Sequence, residues 1–343
     1  MVKSLKILSV LSLYIVCSYS QIKVINEENG LILTHLSDLC VNAKENIYIL
    51  DKKEQKVVLL NPKNNFIKNI AIKGKGPGEI WGGISIELDE NGYLYIYDSS
   101  LKRFTIFNKN GIVTKKFHHS LEKFKLLKGG KFLIEISETK KVNRYLKRKF
   151  KLCLFSKELK QIKVLDSLEV NKYKFTTSNG PLICPYSKKL TWEVFKENIF
   201  IYQPLEEAIK KYDKNGTLIK VVNLKLSKRR IKQEDKEYYL SKLKSFDKDG
   251  NIIRGATFFQ KKNIEFPKYF SPVKKFLASE NELLIQLNDE ILSLALVDNI
   301  KLSLSNYTNR NLSFDGKIII SNNKIYKLIN DDEDLPRVEI YKF

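Results

Sequence analysis

Residues 73–117 read KGKGPGEIWGGISIELDENGYLYIYDSSLKRFTIFNKNGIVTKKF, a glycine-rich corner followed by four short apolar runs. The runs are Ile84–Leu88, Tyr93–Tyr97, Arg103–Phe107 and Ile112–Phe117, and residues rich in Asp, Asn, Ser and Gly separate them. Apolar and aromatic runs between such turns predict consecutive antiparallel strands. Four strands of this kind would form one blade of a β-propeller.

The second run of this blade belongs to a phrase that recurs along the chain: a turn ending in Asn or Gly, four or five apolar residues, then a polar residue. Its six copies are Asn46-IYILD, Gly92-YLYIYD, Gly130-KFLIEIS, Asn198-IFIYQ, Asn281-ELLIQLN and Gly316-KIIISN. Repeats of several strands at about 40–50 residues are typical of propellers. The sequence therefore predicts an all-β, six-bladed β-propeller of four-stranded antiparallel blades over residues 21–343.

Counting strands also predicts how the ring closes. The last repeat supplies three strands, Asn311–Phe314, Lys317–Ile320 and Arg337–Phe343, and the N-terminal strand Ile22–Ile25 would be the fourth. Such closure leaves no sheet edge open. The alternative makes Lys324–Ile329 a strand and leaves the N-terminus loose.

Two connections exceed the length of a turn. Leu165–Lys189 reads as irregular, and about 226–271 reads as a helical insertion with Ser227 as the N-cap and a helix from Lys228 to about Phe246. The apolar residues that predict a face packed on the ring are Ile231, Tyr238, Tyr239 and Leu243.

The first twenty residues predict export. Lys3 and Lys6 precede an apolar core, and Ser18-Tyr19-Ser20 offers a cleavage site, so 1–20 reads as a signal peptide. Lipid attachment at Cys17 is the alternative, but large residues precede this cysteine. We expect a location in the periplasm or cell envelope, and no transmembrane helix in the mature chain, although membrane association stays open.

Charge and cysteine content narrow the class further. The formal net charge is +22, which suits an anionic polysaccharide, an anionic membrane face or nucleic acid, but export argues against nucleic acid. The remaining cysteines, Cys40, Cys153 and Cys184, allow at most one disulfide, so disulfides do not hold the fold together. Cys40 and Cys153 lie in apolar runs and are expected to be buried. We expect a monomer.

The chain resembles a family of exported six-bladed β-propeller proteins of the bacterial cell envelope, many of them lipoproteins. The resemblance rests on Gly74-Lys75-Gly76-Pro77-Gly78-Glu79 before a blade-opening strand, on Leu36-Ser37-Asp38-Leu39, and on the terminal Asp334–Phe343. It covers essentially all of residues 21–343, and only the GxGPGE corner is specific. It implies the fold and the compartment rather than a biochemical activity.

The glycine-rich corner is the first candidate site. Gly76 and Gly78 would allow a tight crossover between blades, where backbone N–H groups could cradle an anion; the alternative is a purely structural turn capped by Glu79. Trp81 reads as a wedge between blades or as a stacking platform for a sugar, and we favour the wedge.

Polar residues that end the second strand of their blades form a second candidate. Asp51, Asp98, Gln203 and Asn322 would point toward one face, where oxygen ligands could hold Ca²⁺. Only Asp51 and Asp98 are carboxylates, and Asp after a strand is common in turns. His118 and His119 would face opposite sides of a strand, so they read as crossover or surface residues.

Two basic segments complete the candidates: 140–149, which includes Arg144, Lys147 and Arg148, and 228–232, which includes Arg229 and Arg230. Both would be insertions on the channel-mouth face, able to recognise an anionic glycan or an acidic partner segment. The alternative is a solvated charged loop.

No catalytic constellation is evident in the sequence, which favours a non-enzymatic binding or scaffolding propeller of the cell envelope. Its ligand would be an envelope protein or an anionic polysaccharide, held without a cofactor. The alternative function is a metal-dependent propeller hydrolase or lyase with Asp51 and Asp98 at the channel mouth.

Overall fold

The structure is a computed structural model of the chain. It describes residues 20–25, 32–142, 145–176, 180–183, 188–224, 226, 228–242, 244–246, 252–254, 266–278, 283–287, 291–294, 317–321, 324–330 and 336–342.

The described residues form six main sheets in chain order, antiparallel except for one short parallel pair in the first, and these sheets are the blades of a propeller. The first strand, β1 (Ser20–Ile25), precedes blade 1, which contains β2 (Leu36–Val41), β3 (Ile47–Asp51), β4 (Lys56–Leu60), β5 (Phe66–Lys73) and the short β6 (Glu79–Ile80). Blade 2 contains β7 (Gly83–Leu88), β8 (Leu94–Asp98), β9 (Arg103–Asn108) and β10 (Gly111–Lys116). Blade 3 contains β11 (Ser120–Leu127), β12 (Lys131–Val142), β13 (Tyr145–Phe155), β14 (Gln161–Thr176) and β15 (Gly180–Ile183).

Blade 4 contains β16 (Thr191–Phe195), β17 (Asn198–Gln203), β18 (Ala208–Tyr212) and β19 (Leu218–Asn223). The helix α1 (Gln233–Lys242) and a hairpin of β20 (Lys244–Phe246) and β21 (Ile252–Arg254) follow. Blade 5 contains β22 (Val273–Ala278), β23 (Leu283–Leu287) and β24 (Ile291–Leu294). Blade 6 contains β25 (Ile318–Ser321), β26 (Lys324–Ile329), β27 (Arg337–Lys342) and, from the other end of the chain, β1. The predicted strands of blade 2 and the propeller fold are confirmed.

The core is divided among the blade interfaces, which closes the ring. Six clusters of buried apolar side chains each join two neighbouring blades. Pairs that share a cluster, from the interface of blades 1 and 2 around to that of blades 6 and 1, are Leu50 with Ile96, Phe104 with Phe124, Leu152 with Trp192, Tyr202 with Phe276, Leu277 with Ile325, and Tyr326 with Leu39. Each blade therefore buries both of its faces, as the continuous apolar phrases require.

Blade 6 joins the two ends of the chain. β1 pairs antiparallel with β27, from Ser20 opposite Lys342 to Ile25 opposite Val338, as the strand count predicts. The prediction of the other strands was wrong in one respect, because Lys324–Ile329 is a strand as well. Closure and this strand are compatible, since its Ile325 and Leu328 are buried in the blade interfaces. The predicted strand Asn311–Phe314 lies outside the described residues.

Blade 3 is longer than its neighbours and corrects the interpretation of Leu165–Lys189 as irregular. β14 continues to Thr176 and pairs with both β13 and β15. Lys and Glu alternate with apolar residues along these strands, so this long hairpin resembles a loop in the sequence. His118 and His119 are exposed in the crossover between β10 and β11, as predicted.

The helical insertion is shorter than predicted, because α1 spans only Gln233–Lys242. The backbone of Arg229 and Ile231 pairs instead with Phe270 and Lys268, which keeps the preceding segment extended. Tyr238 is exposed, so the predicted apolar face is wrong at this position. In the part of the chain that the structure describes, no helix is long and apolar enough to cross a membrane.

Candidate binding site

The direction of the strands decides which segments share a face of the ring. In each four-stranded blade, the crossover into the innermost strand and the turn between the second and third strands lie at the same end, because successive strands are antiparallel. We call this end the crossover face. The corner at 74–82, the turn between β12 and β13, and the segment 228–232 after β19 all lie at this end.

The corner at 74–82 is a rigid crossover between β5 and β7. The Glu79 Oε2 accepts a hydrogen bond from the Gly76 N–H at 2.7 Å. The Arg103 guanidinium donates to the carbonyl oxygens of Lys75 at 3.1 Å, Gly76 at 2.7 Å and Glu79 at 3.0 Å. Gly78 has φ +79°, a conformation that favours glycine. The carboxylate of Glu79 thus occupies the place that a cradled anion would take.

Trp81 leaves this corner as an exposed aromatic side chain. Its exposed fraction is 45%, so it is not buried between two blades, and the preferred interpretation as a wedge is wrong. The ammonium groups of Lys73 and Lys75 lie 5.5 Å and 5.1 Å from the centroid of its ring. Its backbone N–H donates to the Asp98 Oδ2 at 2.7 Å, which fixes the residue to blade 2.

Asp51 and Asp98 are buried caps of two separate turns. Asp51 accepts hydrogen bonds from the backbone N–H groups of Thr34 at 2.7 Å, His35 at 3.1 Å and Lys53 at 3.1 Å. Asp98 likewise accepts from the backbone N–H groups of Trp81, Gly82 and Leu101. Because backbone donors use the lone pairs of both carboxylates, neither aspartate presents a free oxygen to a shared cation.

The other members of the predicted polar ring are also structural. Gln203 Nε2 donates to the Asp166 Oδ1 and to the Ser167 carbonyl, both at 3.0 Å. Asn322 lies outside the described residues and follows the innermost strand of its blade, β25; the equivalent cap is Asn330, which bonds the backbone of Leu36. Within the described ranges, no group of three or more His, Cys, Asp or Glu could hold a metal ion.

Several of the described basic residues in the segments 140–149 and 228–232 carry acidic partners. Lys147 pairs with Glu169 at 2.9 Å, and Arg148 pairs with Glu122. Arg229 pairs with Asp235 and lies over the ring of Phe270, whereas Arg230 is exposed. Arg144 lies outside the described residues. These two segments are therefore less positive than the sequence indicates.

A feature that the sequence analysis missed lies on the axis of the ring, where charged side chains of the innermost strands meet. Glu87 comes from β7, Lys123 and Lys125 from β11, and Glu193 from β16. The Glu193 carboxylate accepts from Lys125 at 2.9 Å and lies 3.4 Å from the Lys123 ammonium group. The sequence signal that could have predicted this cluster was the charged residues at alternate positions of the innermost strands, which precede the apolar phrases.

Two further contacts extend this charged cluster around the axis. The Lys317 ammonium group pairs with the buried Asp38 at 2.7 Å, and Asp38 also accepts from the Ser85 hydroxyl at 2.8 Å. The Trp192 Nε1 donates to the Glu135 Oε2 at 2.8 Å, and the Lys123 ammonium group lies 4.3 Å from the centroid of the Trp192 ring.

Burial and pairing shift the pKa values of these groups in different directions. Burial alone would raise the pKa of Glu193, but the two lysines outweigh it and lower that pKa to about 2. Burial lowers the pKa of Lys123, whereas for Lys125 the attraction of Glu193 and Glu87 exceeds the effect of burial and raises the pKa. Burial raises the pKa of Glu87 and of Glu135. The cluster therefore contains one strongly ionised carboxylate shared by two lysines.

The charged cluster lines a cavity of about 430 Å³. The cavity extends from Lys189 and Leu190, ahead of β16, to the last residues of β2, β7, β22 and β25. Blades 5 and 6 contribute an apolar wall that includes Leu277, Ala278 and Ile319. Cys40, a free and buried thiol whose pKa burial raises well above its ordinary range, also lines it. Cys153 is free and buried as predicted, and Cys184 lies outside the described residues.

Comparisons with known proteins agree with this architecture. A family described as a 6-bladed beta-propeller matches residues 26–184. A solved structure named as an exported protein from Bacteroides fragilis shares 13% identity, covers 95% of each chain and has a TM-score of 0.54. Virginiamycin B lyase from Staphylococcus aureus shares 10% identity over 95% of this chain and 100% of its own, with a TM-score of 0.46. No protein with a curated description matches the sequence. The family match over residues 26–184 and the ring of six blades together support a bacterial six-bladed β-propeller fold for this chain.

Proposed function

We propose that this chain is a non-enzymatic binding propeller of the bacterial cell envelope and that it holds an anionic polysaccharide on the crossover face. The observation that carries the proposal is the exposed Trp81 ring with Lys73 and Lys75 beside it. An aromatic side chain stacks on a sugar ring, and the two ammonium groups that lie over the Trp81 ring would pair with carboxylate or sulfate groups of that sugar.

The rigidity of the corner supports this role. Arg103 and Glu79 fix the backbone around the platform, so little conformational entropy is lost when a ligand binds. The other basic segments contribute through their surplus charge, for example at the exposed Arg230. The caps formed by Asp51 and Asp98 favour this binding role over the alternative of a metal-dependent hydrolase.

Residues 1–20 and the likeness to an exported protein support the compartment. A signal peptide would deliver the ring to the periplasm or envelope, where anionic polysaccharides occur. Expression of the full chain with a C-terminal tag, followed by fractionation and N-terminal sequencing, tests this part. An uncleaved chain in the cytoplasm would contradict it.

Affinity electrophoresis through gels that contain polygalacturonate, with dextran as the neutral polymer, tests the site. We expect retardation by polygalacturonate only, and Trp81→Ala should weaken binding at least tenfold. Phe66→Ala is the matched control because Phe66 is also 45% exposed but begins the outer strand β5. Equal binding by Trp81→Ala and Phe66→Ala would overturn the proposal, as would equal retardation by dextran.

A further inference from the structure

We propose that the axial cavity is a second, separate binding site, for a small amphipathic anion: a carboxylate or phosphate group attached to an apolar body. It is independent of the polysaccharide platform at Trp81, because its lining comes from the innermost strands rather than from the corner.

The distribution of charge gives the sign of the ligand. Six lysines line the cavity against three glutamates, and one of the lysines, Lys317, pairs with the buried Asp38, so these residues keep a surplus of two positive charges. Glu193 forms ion pairs with both Lys123 and Lys125, but its single negative charge neutralises only one of them. Lys189 and Lys274 are exposed to the cavity and form no ion pair with any described residue. A concave site in which positive charges outnumber negative ones attracts anionic ligands.

The apolar residues of blades 5 and 6, next in the chain to Lys274 and Lys317, form an apolar wall that gives the second half of the chemistry. Leu277, Ala278 and Ile319 line the cavity without polar side-chain atoms, and Phe276 and Ile320 extend this surface. An inorganic anion would leave that wall in contact with water, whereas an attached hydrocarbon or aromatic group would cover it. The ligand therefore needs a charged end and an apolar end.

The dimensions fit a small molecule rather than a polymer. A volume of about 430 Å³ lies in the range of roughly 300–1,000 Å³ that is usual for small-molecule sites. Such sites combine apolar walls with a few convergent polar groups, as this cavity does. The residues that line the cavity come from the inner strands of all six blades. Closing the ring therefore forms the site before any ligand binds.

Titration calorimetry of the full mature chain tests the proposal with three probes of one shape. The probes are 2-naphthoate, 2-naphthyl phosphate and the neutral 2-naphthamide, so the first two compare carboxylate with phosphate. We expect one site per chain for at least one anion and at least tenfold weaker binding of the amide. The amide binding as tightly as both anions would overturn the charge argument.

Two variants locate the site. Lys189→Gln with Lys274→Gln should weaken binding of the anion about tenfold, whereas Lys68→Gln with Lys220→Gln, on the outer strands β5 and β19, should leave it unchanged. Ala278→Phe should abolish binding by filling the cavity. Unchanged binding in the Ala278→Phe variant, or equal losses in both lysine pairs, would overturn the assignment. Trp81→Ala should bind 2-naphthoate normally, which separates this site from the polysaccharide site.

Discussion

Replacement of Glu193 by Gln tests whether the charges on the axis stabilise the ring. Gln keeps the shape of the side chain but removes the negative charge that lies between Lys123 and Lys125. The Glu193 side chain is 9% exposed, and the pKa of its carboxyl is about 2 rather than the ordinary 4.5. A difference of about 2.5 pKa units corresponds to about 3 kcal/mol of stabilisation by the ionised form.

The sign of the pH dependence follows from that shift. Because folding lowers the pKa of Glu193, its contribution is fully present above about pH 4.5 and is lost as the pH falls toward about 2. We therefore expect Glu193→Gln to reduce the free energy of unfolding by about 2–3 kcal/mol at pH 7. The lower value would apply if water in the axial cavity screens these charges. The variant and the parent chain should approach each other between pH 4.5 and pH 2.

Urea denaturation followed by tryptophan fluorescence measures both effects, with Glu197→Gln as the matched control. Glu197 also accepts from two lysines, Lys128 at 2.6 Å and Lys214 at 2.9 Å, and its pKa is also lowered to about 2 by those hydrogen bonds. It lies on the surface, where solvent screens the pairs, so its replacement should change little. Equal destabilisation by the two variants would show that channel water screens Glu193 as bulk water does, and would refute the reasoning.

Three further predictions concern the closing strand, the corner and the buried cysteines. Deletion of residues 21–25 from the mature chain should lower the melting temperature and promote aggregation, because it exposes the edge of β27; an unchanged melting temperature would show that β1 does not close the ring. Arg103→Ala should lower the free energy of unfolding by about 1–3 kcal/mol and speed tryptic cleavage after Lys75, because three carbonyl groups lose a charged donor. Cleavage at the wild-type rate would contradict the idea that Arg103 makes the corner rigid. Cys40 and Cys153, with pKa values raised by burial, should react slowly with iodoacetamide at pH 8 in the folded chain and rapidly in urea; rapid labelling of the folded chain would contradict their burial.

Local patterns were enough to predict much of the fold. Turn residues delimit the apolar phrases at Ile47–Asp51 and Leu94–Asp98. These turns and phrases are short-range signals, so they were enough to predict the strands. The long strand β14 and the short helix α1 were predicted wrongly. For α1 the partner is distant in sequence, because Lys268 and Phe270 hold 229–231 extended. For β14 the partners β13 and β15 are its neighbours in the chain, but the charged residues along it hid the strand pattern.

The sequence by itself determined the repeated strands, the closure by the N-terminal strand and the corner at 74–79, because each depends on residues close together in the chain or on a count of strands. Only the tertiary structure decided what the charged residues do. Asp51 and Asp98 became turn caps because backbone N–H groups converge on them, and Trp81 became exposed because the corner turns it outward. Lys123, Lys125 and Glu193 meet only because closing the ring brings the innermost strands of separate blades to one axis, so no local pattern could specify their contact.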